Sequence, residues 1–394
     1  MEALLAAKAA ARKVGQLTDG ARRDLLNALA TALRQAQGRI LEANAADVAA
    51  MAPEDPRRDR LLLTPARVEA IAAGVEAVAR LPEVLWAELE ARTMPSGIRL
   101  RRVRVPLGVV GCIYEARPNV TVDVSALCLR AGNVAVLKGG KEAARTNEAL
   151  AKVMGGVLCA AGLPEAAVTL LSPTHAAAEA LMRAEGLVDV LIPRGSAGLI
   201  RAVRQQACVP VIETGAGVCH TYLHEDADVA VAARVVENGK TRRVSVCNAL
   251  DCLLVHRALA GEMLEQILAP CRAKGVALHT EPETWGREWL SMAMSVRVVD
   301  SLDEALEHIA RFGSGHSEAI VTQSAEVAQR FLREVDAACV YVNTPTAFTD
   351  GGEFGLGAEV GISTQKLHAR GPMGLTALTT SKWLVESDGA VRAE

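Results

Sequence analysis

Cys247 lies in the run Asn238-Gly239-Lys240-Thr241-Arg242-Arg243-Val244-Ser245-Val246-Cys247-Asn248-Ala249, a thiol that follows three basic side chains. The thiolate is the nucleophilic form of cysteine. Nearby cationic charge lowers a thiol pKa and also attracts a substrate carrying phosphate or carboxylate. The loop therefore reads as acyl-transfer chemistry on an anionic substrate, with Cys247 as nucleophile and Lys240, Arg242 and Arg243 as candidate phosphate binders. The plainer reading of the three charges is the solvated end of a helix that begins near Asp226.

The other cysteines are controls. Cys112, Cys252 and Cys339 lie in apolar, strand-like runs, Cys128 and Cys159 on helical stretches, and Cys208 and Cys271 at the ends of amphipathic segments. All of these read as small buried hydrophobes. Cys219 is the rival nucleophile, but its neighbour His220 is poorly placed as a base, because successive side chains of an extended segment point to opposite faces. His220 and His224 are four residues apart with a strand-like segment between them, and no third ligand has matching spacing, so no metal site is expected. No Gly-x-Ser-x-Gly elbow is present. Nine cysteines without a Cys-x-x-Cys pair fit reduced thiols in a reducing compartment.

Periodicity outlines the elements that must position these groups. At 394 residues the chain is long enough for two or three domains. Leu25, Leu26, Leu29 and Leu33 recur at helical spacing, and a second amphipathic run covers 68–78. From Ile98 the period becomes two. Ile98 and Leu100 alternate with Arg99 and Arg101, then Val103 and Val105 with Arg102 and Arg104, a slip in phase expected of a bulge. This predicts a half-exposed strand or hairpin whose basic face is solvated or forms an oligomer contact. Beyond Pro106, apolar runs at 109–113, 134–137, 168–171, 188–192 and 209–212, then at 221–223, 253–255, 296–299, 319–321 and 339–342, alternate with helical stretches. That alternation predicts two α/β units with parallel-rich sheets, joined near 215–219. A hydrophobic fraction of 50%, only 3% aromatic residues and a net charge of -3 argue against nucleic acid as the main partner. No apolar stretch approaches a membrane span and Met1-Glu2-Ala3 opens no basic leader, so a cytoplasmic location is expected.

Neither a Gly-x-x-x-x-Gly-Lys-Ser/Thr loop nor a Gly-x-Gly-x-x-Gly turn occurs, which counts against kinases and ordinary dinucleotide folds. Ile192-Pro193-Arg194-Gly195-Ser196-Ala197-Gly198 leaves a buried strand and enters a helix, where backbone amides can hold a pyrophosphate. A strand-to-helix turn also needs glycine for shape alone. Lys138 follows the strand at 134–137, on the carboxyl edge where open α/β sheets bind ligands.

Longer segments carry a resemblance. They are Pro106-Leu107-Gly108-Val109-Val110-Gly111-Cys112-Ile113-Tyr114-Glu115-Ala116-Arg117-Pro118-Asn119-Val120-Thr121, Lys240-Thr241-Arg242-Arg243 with Cys247-Asn248-Ala249, and Gly355-Leu356-Gly357-Ala358-Glu359-Val360-Gly361-Ile362-Ser363-Thr364. With these and the stretch 367–382, nearly the whole chain resembles the gamma-glutamyl phosphate reductases of the aldehyde dehydrogenase superfamily. The resemblance implies an aldehyde dehydrogenase-like α/β fold, with a cofactor-binding domain over 1–90 and 105–217 and a catalytic domain over 218–362. It adds an oligomerisation β element over 91–104 and 376–394 and a wrapping segment over 363–375 near the active site. It implies NADPH as cofactor, with Gly195 and Ser196 at the pyrophosphate-contacting turn and Lys138 at the adenosine ribose. It also implies that Cys247 forms a thioester with gamma-glutamyl 5-phosphate, releasing phosphate, and that hydride transfer then gives glutamate 5-semialdehyde for proline biosynthesis. Asn119 matches the superfamily's oxyanion asparagine, beside the amide of Cys247; without that match Asn119 reads as a turn residue after Pro118.

The chain departs from the family pattern at three places. Arg242-Arg243-Val244 replaces Gln-Arg-Pro, losing a fixed proline φ and gaining a charge; Asp251-Cys252 replaces Glu-Thr; and Ser196 replaces a second glycine. Glu213, in Val211-Ile212-Glu213-Thr214-Gly215, falls where hydrolytic aldehyde dehydrogenases keep a general base. The alternatives are therefore a hydrolytic aldehyde dehydrogenase and a non-catalytic scaffold, though a scaffold would be expected to lack Cys247 or Asn119. Self-association through the basic strand and the tail is the expected assembly. The lability of an acyl phosphate makes glutamate 5-kinase a second candidate partner.

Overall fold

The computed structural model describes residues 1–55 and 57–392. Residue 56, in the expected cofactor-binding part, and residues 393–394, at the end of the expected oligomerisation element, lie outside the described residues. The chain forms two compact units, Met1–Glu213 with Leu356–Gly361 and Met373–Glu394, and Thr214–Gly355 with Ile362–Pro372.

The first unit opens with α1 (Glu2–Gly15), α2 (Asp19–Gln35), α3 (Gln37–Ala49), α4 (Arg58–Leu61) and α5 (Pro65–Arg80). The leucine stripe of α2 and the stripe Val68, Ile71, Val75 and Val78 of α5 are buried. Thr18 and Thr64 accept hydrogen bonds from the amides of Ala21 and Arg67, and Pro65 takes the first turn, so both helices start where side chains satisfy otherwise unpaired amides. β1 (Glu88–Thr93) and β2 (Arg99–Pro106) then pair antiparallel. Their register shifts between Glu88, opposite Val103, and Glu90, opposite Arg102. The phase slip expected between Arg101 and Arg102 is therefore real, but the extra residue belongs to the partner strand.

The sheet of this unit follows as β3 (Val109–Tyr114), α6 (Pro118–Arg130), β4 (Val134–Lys138), α7 (Ala144–Ala160), β5 (Val168–Leu170), α8 (His175–Met182), β6 (Val190–Arg194) and α9 (Ala197–Gln206). Its strands are parallel in the order β5-β4-β3-β6. All of β3 is buried, as expected of a strand covered on both faces. The chain steps outward from β3 through β4 to β5, then returns to the opposite side of β3 as β6. The topological switch point thus lies between the carboxyl ends of β3 and β6, the crevice in which open α/β sheets bind ligands. The strand expected at 209–212 is a correction. Only a single bridge, Leu191 to Val211, joins this segment to β6, because Pro210 has no N–H to extend a ladder.

The second unit is built from β7 (Cys219–Leu223), α10 (Val229–Thr241), β8 (Leu250–His256), α11 (Glu262–Ala273), β9 (Ala277–His279), β10 (Ala293–Val299), α12 (Leu302–Phe312), β11 (Ser317–Val321), α13 (Ala325–Glu334) and β12 (Cys339–Val342). The strands form one parallel sheet in the order β12-β11-β7-β8-β10-β9. Alternation along β8 divides the core: Leu253 and Val255 pack with α10 and α11, while Cys252 and Leu254 pack with α12 and α13. A short antiparallel pair, β13 (Ile362–Ser363) with β14 (Gly371–Pro372), also belongs here. In the first unit, β15 (Thr379–Glu386) pairs with β2 and completes a three-stranded antiparallel sheet, β1-β2-β15.

Candidate active site

Each unit carries a group of the expected site residues. In the second unit, Asp228 caps α10 through the amide of Val231, two residues later than expected, and the helix runs to Thr241. Arg242 and Arg243 emerge exposed, a tight turn carries the half-buried Cys247, and β8 begins at Leu250. The backbone of this turn is fixed from below. The Cys219 thiol donates to the carbonyl of Cys247 at 3.2 Å, and the Asn248 amide donates to the carbonyls of Ala347 and Thr349 at 3.2 and 3.0 Å. Thr346 Oγ1 donates to the carbonyl of Asn248 at 2.8 Å. Gly217 approaches so closely that a Cβ there would lie 1.6 Å from the Cys247 carbonyl oxygen. Cys219, the expected rival, is thus a buried support of Cys247, its thiol pKa raised by burial.

Lys240 corrects the solvated reading of the basic run. It is 0% exposed and its Nζ donates to Asp251 Oδ1 at 3.2 Å, an oxygen that also accepts from the Trp289 amide. Burial pulls the Lys240 pKa down and pushes Asp251 up to about 6, each partner opposing the other's shift. The expected Asp251-Cys252 departure therefore supplies the counter-ion of Lys240. Two further cysteines depart from expectation: Cys159 and Cys208 are exposed, not buried. Cys159 falls beside, not on, the buried stripe Leu150, Met154 and Leu158 of α7.

His224 pairs with Asp226 at 2.8 Å, while His220 pairs with Glu318 at 3.0 Å. His220, Cys252 and His308 bring ligand atoms within 4.8 Å of one another, a grouping invisible in the spacing because His308 arrives from α12. The Arg297 guanidinium donates to His308 Nδ1 at 2.6 Å, so the His308 proton sits on Nε2, which faces Cys252 Sγ at 3.6 Å. A protonated Nε2 offers no lone pair to a cation.

In the first unit, the residues after β3 and β6 meet at the switch point, where the Glu115 amide donates to the Arg194 carbonyl at 3.2 Å. Ser196 caps α9 through the amide of Leu199, and its own amide donates to Glu115 Oε2 at 2.8 Å. Asn119 sits in the first turn of α6, and its Nδ2 donates to Asp123 Oδ2 at 2.8 Å, one turn further on. Lys138 ends β4, half-buried, with its pKa drawn down by burial against the pull of Glu142 and Glu115. A pocket of about 140 Å³ opens beside it, lined by residues that include Gly139, Asn147, Leu170 and Ser172. Glu213 pairs with Arg204 at 3.7 Å. Nothing in the local sequence marks Glu115 or Asp123, although both lie in or just beyond the segment 106–121.

Burial pushes the Asp123 carboxyl from 3.8 to about 6, against the hydrogen bond from Asn119 and the charge of Arg194. A carboxyl raised on folding binds its proton more tightly in the native state, so the cost of its charge is absent below pH 4, grows to pH 6 and is full above. Asp123→Asn should therefore gain stability relative to the parent on going from pH 4 to pH 8, on the order of 1–3 kcal/mol. Urea unfolding at both pH values checks this; an equal difference at the two would refute it.

The aldehyde dehydrogenase family pattern matches residues 1–285. A gamma-glutamyl phosphate reductase of Symbiobacterium thermophilum is 50% identical, over 98% of this chain and 98% of the relative. The crystal structure of a gamma-glutamyl phosphate reductase from Thermotoga maritima superimposes with a TM-score of 0.96 at 37% identity, covering 100% of this chain and 99% of that one. A glyceraldehyde-3-phosphate dehydrogenase from Methanocaldococcus jannaschii, solved in complex with NADP, shares the fold at 16% identity and a TM-score of 0.73, over 98% of this chain and 94% of that one.

Proposed function

The chain belongs to the aldehyde dehydrogenase family and to its gamma-glutamyl phosphate reductases, and from that premise we propose that it reduces gamma-glutamyl 5-phosphate to glutamate 5-semialdehyde with release of phosphate, a step of proline biosynthesis. The observation that carries the reading is the Cys247 turn, a half-buried thiol on a backbone fixed by Gly217, Cys219 and Asn248, with two exposed arginines just before it.

Cys247 attacks the acyl carbon, the C–O bond to phosphate breaks, and a thioester remains on Sγ. NADPH, when bound, supplies the hydride that reduces this thioester. The crevice at the β3/β6 switch point suits a dinucleotide, since the Ser196 amide and hydroxyl already hold the carboxylate of Glu115, as they would a phosphate oxygen. Gly195 and Ser196 would hold the pyrophosphate, and Lys138 beside its pocket the adenosine ribose. Asn119 commits one N–H to Asp123, which sets its rotamer, and its amide carries a second N–H for the oxyanion. The first unit is thus the cofactor-binding part and the second the catalytic part. No step requires a metal.

Lys240 holds the turn through Asp251, which leaves Arg242 and Arg243 for the substrate phosphate. Arg242→Gln and Arg243→Gln together should raise the KM for phosphate in semialdehyde oxidation by about tenfold while leaving that for NADP unchanged. No change in either constant would make both arginines surface charge. The acyl-enzyme itself is tested by mixing the enzyme with semialdehyde and NADP without phosphate. One NADPH per subunit should form, with the glutamyl group left on Cys247; continued turnover would favour the hydrolytic alternative with Glu213 as base.

Self-association through the β1-β2-β15 sheet is the assembly proposed, in a cytoplasmic enzyme. Trp86 and Trp383 are exposed there, with Lys382 Nζ 4.8 Å from the first ring and the Arg92 guanidinium 5.5 Å from the second. A monomer in solution would sink this assembly, and absence of co-migration would sink the docking with glutamate 5-kinase that the lability of the substrate suggests.

A further inference from the structure

We infer that Glu115 is a built-in competitor for the dinucleotide: its carboxylate fills the anion seat at the N-terminus of α9 and must leave before a pyrophosphate can enter. The inference rests on the proposed cofactor reading and goes beyond it by assigning a role to a residue of the opposing loop.

The seat is specific. Glu115 Oε2 accepts from the Ser196 amide at 2.8 Å and Oε1 from the Ser196 hydroxyl at 3.1 Å. A Cβ on Gly195 would lie 2.5 Å from Oε2, so the carboxylate is pressed against the turn through space that any larger residue would occupy. First-turn amides of a helix carry partial positive charge, and an anion there needs no other counter-charge. The carboxylate therefore uses the donors that a diphosphate would use.

The loop that delivers it is under tension. Ala116, next in the chain, has φ +25°, a region that residues with a Cβ rarely adopt, and its amide donates to Glu142 Oε1 at 3.0 Å. Two carboxylates thus hold the β3–α6 loop, one through the α9 turn and one through Ala116. A cofactor phosphate arriving at Ser196 meets a like charge and must displace it. The loop also leads directly into α6 and Asn119, so withdrawal of Glu115 would be felt at the residue assigned to the oxyanion.

Removing the charge while keeping the shape separates competition from bracing. Glu115→Gln keeps an oxygen for the Ser196 amide and should bind NADPH about tenfold more tightly than the parent, measured by fluorescence titration. Inorganic pyrophosphate, as a competitor of NADPH, should gain affinity in parallel. Glu115→Ala guards against a folding effect of the amide and should tighten both ligands too, with thermal melting confirming a folded protein. Unchanged or weaker NADPH binding by both variants would overturn the inference and make Glu115 a brace of the loop. Normal binding by the parent without tightening sinks the competitor alone; failure of the parent to bind any nicotinamide dinucleotide sinks the cofactor reading and this inference with it.

Discussion

Cys247→Ala is expected to lower turnover by roughly four orders of magnitude or more, because the proposed acyl intermediate is carried on the Cys247 sulfur. Folding and NADPH binding should be nearly unchanged. The side chain is half-buried and its removal opens no core, and the residues proposed to hold the cofactor belong to the other unit. Cys219→Ala is the informative contrast. That thiol is buried and touches the backbone carbonyl of Cys247 at 3.2 Å and His316 Nδ1 at 3.8 Å, so its loss should shift kcat several-fold without abolishing it. Steady-state rates with labelling of Cys247 by an alkylating agent check both. Substantial turnover by Cys247→Ala, or complete loss confined to Cys219→Ala, would overturn the assignment.

Gly217→Ala should be the most damaging change among residues that never meet the substrate. An added methyl would sit 1.6 Å from the Cys247 carbonyl oxygen, and since the overlap is with backbone, no rotamer change relieves it. The turn must move by about an ångström, which costs on the order of 100-fold in kcat when a reacting group is displaced that far. A stability loss of about 1–3 kcal/mol from overpacking should accompany it. Gly156→Ala is the control: this helical glycine of α7 has nothing within 4 Å of its added Cβ, and both rate and stability should hold or improve slightly. Near-parental kcat for a folded Gly217→Ala would show that the turn is not held as described.

The place of the Cys247 turn, between the end of α10 and the start of β8, was legible in the sequence because a helix end, clustered charge and an apolar run need only local information. The two parallel sheets were legible for the same reason, since strands covered on both faces are apolar without interruption. What escaped depends on contacts between distant segments. Lys240 shares the inward face of α10 with Val236, one turn earlier, so its burial was readable from helical spacing, but its partner Asp251 comes from the next strand. Gly217 read as part of a linker because nothing near it in sequence reveals the Cys247 carbonyl above it. Pro210 was a visible warning against the strand at 209–212, and the run of apolar residues around it outweighed that signal. Glu115 stood inside the segment that carried the family resemblance, yet only the pairing of β3 with β6 places it on Ser196.

The proposed function turns on an acyl enzyme on Cys247 that exchanges its acyl group with phosphate and not with water. The measurement that tests it most directly is steady-state reduction of NADP by glutamate 5-semialdehyde, with inorganic phosphate titrated from zero and the acid product assayed alongside. Sustained turnover is expected only with phosphate, saturable in it, with negligible free glutamate formed by the enzyme. Sustained NADP reduction without phosphate, with glutamate appearing at the same rate, would contradict it.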